Sequence, residues 1–224
     1  MKTVLASCVI LLFASRGSAG DKFTVTPVQA APPAELAEPV QKLLDPKSAV
    51  VKHADSTTLC QLWFRSEIPV KATAEQVKNG LTYREVIETS LIGAVRFAQT
   101  FTDYRKQEIT AGVYTLRIAF QPDNGDHKDS APHTEFALLC PADKDTKPEE
   151  MEAKALYKLS FASTGGEHPG VMLLFPNAKP AGEPSVVDRG SGVWTVNVKR
   201  PVKTDEGKAD LGFALTIAGF SKLR

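Results

Sequence analysis

The chain has 224 residues with 27 basic and 26 acidic side chains, a formal charge of +1, and 42% hydrophobic residues. A near-neutral surface removes the electrostatic case for nucleic acid or an anionic membrane as the main partner, and this much apolar content can build a packed core. Fifteen glycines and fifteen prolines, scattered rather than clustered, point to a fold with many turns.

Residues 1–20 have the three-part layout of a secretory signal peptide. Met1-Lys2 is a short basic start, Val4–Ala14 is apolar apart from Ser7 and Cys8, and Gly17-Ser18-Ala19-Gly20 offers cleavage after Ala19 or after Gly20. The apolar run holds about half of the ~20 residues a spanning helix needs, so no membrane span is expected. Leu5-Ala6-Ser7-Cys8 resembles a bacterial lipobox, yet most of the apolar segment follows the cysteine instead of preceding it, so no lipid anchor is expected. Removing residues 1–20 from the 224 leaves 204, with 25 basic and 26 acidic side chains and a charge of −1. The expected location is the periplasm or the cell exterior.

Residues 21–33 read as an extended leader ending in Ala30-Ala31-Pro32-Pro33, and the stripe Leu36, Val40, Leu43, Leu44 predicts one short helix closed by Asp45-Pro46. Residues 21–45 are therefore set apart from a main domain over 46–224. The period then changes to two: Ala49–His53 and Thr58–Arg65 form a predicted hairpin. Ala74–Asn79 is a short helical turn before Gly80, and Leu91–Ala98 a strand. In Val113–Phe120, the residues Tyr114, Leu116, Ile118 and Phe120 share one face, with Thr115 and Arg117 on the other. Thr134–Cys140 is a further strand. Met151, Ala155, Leu156 and Leu159 predict a helix over Glu149–Ser160, followed by a buried run at Val171–Phe175. Trp194, Val196 and Val198 alternate with polar residues. A turn at Asp205-Glu206-Gly207 then leads into Leu211–Ala218. About eight short strands with two minor helices predict a mainly β chain, an antiparallel β-sandwich of plain or jelly-roll type. A parallel α/β sheet lacks the helices it would need between strands.

Cys8 leaves with the signal, so the mature chain keeps Cys60 and Cys140, both on the core parity of their strands. An exported pair of this kind is either a disulfide, worth roughly 4 kcal/mol for a loop of about 80 residues, or two separate buried thiols. The stretch Ile109-Thr110-Ala111-Gly112-Val113-Tyr114-Thr115-Leu116 resembles the AG-x-Y-T-L turn into a strand found in exported bacterial β-sandwich proteins of uncharacterised function. That resemblance implies a sandwich and an exported bacterial protein, and it brings no catalytic residue.

Chemistry is concentrated in one connection. Gln121–His133 reads QPDNGDHKDSAPH, long for a hairpin loop, and carries Asp123, Asp126, His127, Asp129 and His133. Imidazoles with carboxylates suit zinc or copper, and carboxylates with carbonyls suit calcium. The spacing matches no defined metal motif, and Pro-Asp-Asn-Gly is also ordinary turn chemistry. His168, with Met172 four residues on, evokes a copper site but lacks the cysteine such a site requires. His53 is expected to face solvent beside Asp55, Trp63 to point to an outer face, and Trp194 to pack in the core. Gly190-Ser191-Gly192 reads as a hairpin turn and not a nucleophile elbow. No catalytic set emerges. The leading expectation is an exported, non-catalytic protein without a cofactor that binds a protein, polysaccharide or envelope component. The alternative is a metal-binding protein or metal-dependent hydrolase using His127, His133 and His168.

Overall fold

The computed structural model describes residues 22–121, 131–166 and 168–221. The signal peptide, Asp123, Asp126, His127 and Asp129 lie outside the described residues.

The chain is mainly β, as expected, with two antiparallel sheets packed over a shared core. It opens with β1 (Phe23–Gln29), a short helix α1 (Glu38–Gln41) and the hairpin β2 (Lys47–His53) and β3 (Thr58–Phe64). β1 pairs antiparallel with β2 from Phe23↔His53 to Gln29↔Lys47, so residues 23–29 belong to the sheet as its edge strand. Asp55 accepts from the amide and hydroxyl of Thr57, and these bonds hold its carboxyl below the usual aspartate pKa while shaping the turn between β2 and β3.

Next come β4 (Ile68–Pro69), helix α2 (Ala74–Asn79) and β5 (Leu91–Phe97). α2 starts in a capping box, with Thr73 and Gln76 satisfying each other's amides. A small ribbon, β6 (Phe101–Thr102) with β7 (Glu108–Ile109), precedes β8 (Gly112–Phe120) and β9 (Glu135–Pro141). Helix α3 (Ala153–Thr164) leads to β10 (Gly170–Leu173), then β11 (Ser185–Gly190), β12 (Val193–Thr204) and β13 (Gly207–Ala218).

The large sheet has the order β1-β2-β3-β5-β8-β9-β10, and the small one β11-β12-β13, with β4 joined in parallel to β12. The large sheet follows chain order, a meander without the Greek-key crossings of a jelly roll. Between the sheets lie Leu62, Phe97, Leu116, Ile118 and Leu139 from one side and Trp194, Val196, Phe213, Leu215 and Ile217 from the other. Trp194 is a core residue, as its parity predicts.

The other face of the large sheet is also covered. Leu36, Val40 and Leu44 cap Trp63, Leu91 and Ala94, while Leu156 of α3 sits over Leu138, Cys140, Val171 and Leu173. Trp63 does point to the outer face, but α1 and its flanks leave it only 2% exposed, and its indole N–H donates to the Ala30 carbonyl at 3.0 Å. The helix predicted at 149–160 begins later and presents a different stripe: Leu156, Ser160 and Ser163 are buried, whereas Ala155 is exposed. Its small serines allow a close approach to β10. A Cβ at Gly170 would come within 2.3 Å of Ser163 Oγ and 2.8 Å of Ile109 Cδ1.

Cys60 and Cys140 are both buried, as predicted, and both are free thiols. The disulfide option is corrected by geometry: Cys60 lies in the core between the sheets and Cys140 under α3, on opposite faces of one sheet. Burial pushes the Cys60 thiol up to about 12 and raises that of Cys140 as well.

Candidate functional site

Where β9 begins and β10 ends, a partly exposed ledge gathers two arginines, two phenylalanines and a histidine. Phe175 follows β10 and is pinned through both of its backbone polar groups. Its amide donates to the Ala214 carbonyl at 2.9 Å, and its own carbonyl accepts from the Tyr83 hydroxyl at 2.8 Å. That same hydroxyl accepts from the Ala214 amide at 2.9 Å. Burial raises the Tyr83 phenol above its ordinary pKa, so it remains a protonated donor.

Two guanidiniums lie over aromatic rings on this ledge. Arg84 sits 4.7 Å from the Phe120 ring centroid, pairs with Glu135 at 2.9 Å and donates to Thr134 Oγ1 at 2.6 Å. Arg189 sits 5.2 Å from the Phe175 centroid and donates to Thr195 Oγ1 at 3.0 Å and Asn197 Oδ1 at 3.3 Å. No carboxylate among the described residues lies within ion-pair distance of Arg189. Burial pulls its pKa below the ordinary arginine value. His133 completes the ledge, meeting the Phe175 ring edge-on at 4.7 Å. Its pKa is lowered, first by burial and further by Arg189, with Glu135 opposing. The imidazole is thus biased to its neutral form.

The structure separates the histidines of the metal hypothesis that it describes. His168 is exposed in the turn between α3 and β10, beyond the Gly170↔Leu139 end of that strand pair, while His133 precedes the Leu173↔Phe136 end. The strand between those register points alone spans about 10 Å, whereas two nitrogens sharing one zinc lie at most ~4 Å apart. Met172, paired in sequence with His168, is fully buried between the sheets. Among the described residues, no three His, Cys, Asp or Glu side chains gather where they could hold an ion. His53 is half-buried instead of solvent-facing, its ring 5.1 Å from Phe23 across the β1–β2 pair. Gly190-Ser191-Gly192 forms the turn between β11 and β12, all three with positive φ.

One constellation was invisible in the sequence. Arg117, on the face of β8 opposite Leu116 and Ile118, is fully buried and forks onto Asp145, Nε to Oδ2 at 2.7 Å and Nη2 to Oδ1 at 2.9 Å. Nη1 donates to the carbonyls of Thr89 at 2.8 Å and Glu149 at 3.0 Å, Nη2 also reaches the Lys147 carbonyl, and Thr115 donates to Asp145 Oδ2. All five guanidinium donors are therefore used. Thr89 holds φ +68°, an unusual conformation for a β-branched residue. Bonds from its amide to Ile118 and between its hydroxyl and Met151 fix it there. The group is closed to solvent and saturated, which makes it a latch that holds segment 141–151 against β8.

The ledge offers one neutralised guanidinium, one with no counter-charge among the described residues and an imidazole biased to its neutral form. Two guanidiniums held over aromatic rings beside an imidazole can take part in anion or hydrogen-bond recognition. No helix among the described residues is long and apolar enough to cross a membrane. Comparison with protein-family models, with curated proteins and with solved structures finds no match to this chain.

Proposed function

We propose that the chain is an exported, non-catalytic binding protein of the periplasm or cell exterior, working without a cofactor and holding a protein, polysaccharide or envelope component at the Phe175 ledge. The observation that carries this reading is Arg189. Its guanidinium is fixed by a hydroxyl, an amide oxygen and a ring, and it has no ionic partner among the described residues. A charge oriented in advance and left uncompensated favours capture of a partner, because little ordering remains when the contact forms. Export is supported by the layout of residues 1–20 and by the resemblance of Ala111–Leu116 to exported sandwich proteins.

The test passes the mature protein over immobilised peptidoglycan, envelope polysaccharide and envelope proteins. Retention on one of these, weakened in Arg189→Gln at unchanged thermal stability, is the expected result. Stoichiometric zinc, copper or calcium lost on changing His127 and His133 to alanine would overturn it in favour of a metal-binding protein or metal-dependent hydrolase.

A further inference from the structure

We infer that Arg189 is the anchor for a carboxylate, and that the partner it fits is an acidic peptide segment. This rests on the binding role proposed above and names the chemistry of its partner. A guanidinium has five N–H donors arranged along two usable edges. Thr195 and Asn197 stand two residues apart on β12, and the Thr195 hydroxyl donates to Asn197 Oδ1 at 2.8 Å, so the two side chains form one polar strip. That strip takes Arg189 Nε and one Nη2 hydrogen, which occupies the Nε–Nη2 edge. The Nη1–Nη2 edge has no acceptor among the described residues. It is the edge a carboxylate meets with two parallel bonds.

Three features narrow the ligand. First, the ring of Phe175 under the guanidinium and the edge-on His133 keep the fork in one orientation. Second, the contrast with Arg84 is internal to the ledge: there the same stack on an aromatic ring carries a carboxylate, Glu135, so that guanidinium is already neutralised. Arg189 is the member of the pair with no acid beside it among the described residues. Third, a sugar ring is recognised on a free aromatic face, and the ledge has none to give. Phe120 is under Arg84, Phe175 is under Arg189 and against His133, and both tryptophans are buried at 2% and 9% exposure. The carboxylate is thus better supplied by a glutamate or aspartate side chain than by an acidic polysaccharide.

The experiment titrates the full mature protein with a short glutamate-rich peptide, its glutamine counterpart, polygalacturonate and inorganic phosphate. Binding is followed by calorimetry and by the Arg189 Nε resonance. The glutamate peptide is expected to bind, to shift that resonance and to weaken as salt rises. Arg189→Gln should lose about tenfold or more in affinity, and Arg189→Lys should fail to restore it, because a point charge cannot form the fork. Arg84→Gln should have a smaller effect. The wild-type resonance reads the contact independently of any variant's folding. Glutamate-peptide affinity unchanged in a folded Arg189→Gln protein would overturn the assignment. So would polygalacturonate or phosphate binding more tightly through Arg189. If the peptide fails while retention on an envelope fraction persists, the carboxylate inference falls and the binding role stands. If retention is absent too, both fall.

Discussion

Breaking the Arg117–Asp145 latch should be the most damaging single change outside the hydrophobic core. In Arg117→Met the Asp145 carboxylate keeps only the Thr115 hydroxyl and its backbone surroundings, and the carbonyls of Thr89, Lys147 and Glu149 lose their donors. In Asp145→Asn a fully buried guanidinium faces an uncharged amide. Removing one partner of a buried pair costs about 3–5 kcal/mol. In a chain of this size each kcal/mol moves Tm by roughly 2–4 °C, so either variant should melt about 6–20 °C lower. Urea unfolding followed by fluorescence should show the lower midpoint at an unchanged slope. The double variant Arg117→Met/Asp145→Leu removes both charges together and should cost less than the two singles added, a positive coupling between the sites. A loss under about 1 kcal/mol in either single variant, or strict additivity in the double, would refute the assignment of this pair as a latch.

Other consequences can be checked with simple assays. Both thiols should resist an aromatic disulfide reagent in the folded protein and react only on unfolding, since burial holds Cys60 at about 12 and raises Cys140 too; fast labelling in buffer would contradict the packing. Gly170→Ala should destabilise by about 1–3 kcal/mol through collision with Ser163 Oγ and Ile109 Cδ1. Adding Ser163→Ala should recover part of that loss, and no recovery would show that the serine is not the obstacle. His133 has a lowered folded pKa, so the unfolded chain takes up its proton first. Its contribution to stability is complete above the unfolded value of about 6.5 and is lost as pH falls from there through the folded pKa. Replacing His133 with Gln should flatten that part of the Tm–pH profile, and an unaltered profile would count against the shift.

Much of the fold was legible because its strands alternate. Tyr114, Leu116, Ile118 and Phe120 fell on one face as the period of two requires, and α2 was legible over Ala74–Asn79 before its capping box was known. Where a strand is covered on both sides, the pattern loses that meaning. Thr115 and Arg117 were placed on the other face of β8, but segment 141–151 lies over them, and nothing local to β8 announces a cover supplied from about thirty residues further along the chain. Trp63 was assigned its face correctly and its exposure incorrectly for the same reason, because α1 covers it. The leader became β1 because Phe23 and Val25 pack against the core while backbone pairing to β2 asks little of the intervening side chains. At the ledge, His133 was visible as a residue type. Arg84, Arg189, Phe120 and Phe175 were not visible as a group, because they come from four separate segments and no spacing links them.

The Tyr83 hydroxyl gives the sandwich a mechanical asymmetry. On its side Leu174 bridges Leu215, Phe175 bonds Ala214, and Thr216 donates to the Leu173 carbonyl, so the two sheets share a bound spine. On the far side β1 and β11 lie near each other, with no backbone hydrogen bond joining them among the described residues. The molecule resembles a book sewn along one margin. Thermal opening should therefore begin at the β1–β11 fore-edge, with amides there exchanging first and those along Leu173–Phe175 last. The ledge joins the two margins, because Phe175 lies on the spine and Arg189 comes from β11, so a partner held there ties the loose margin to the sewn one.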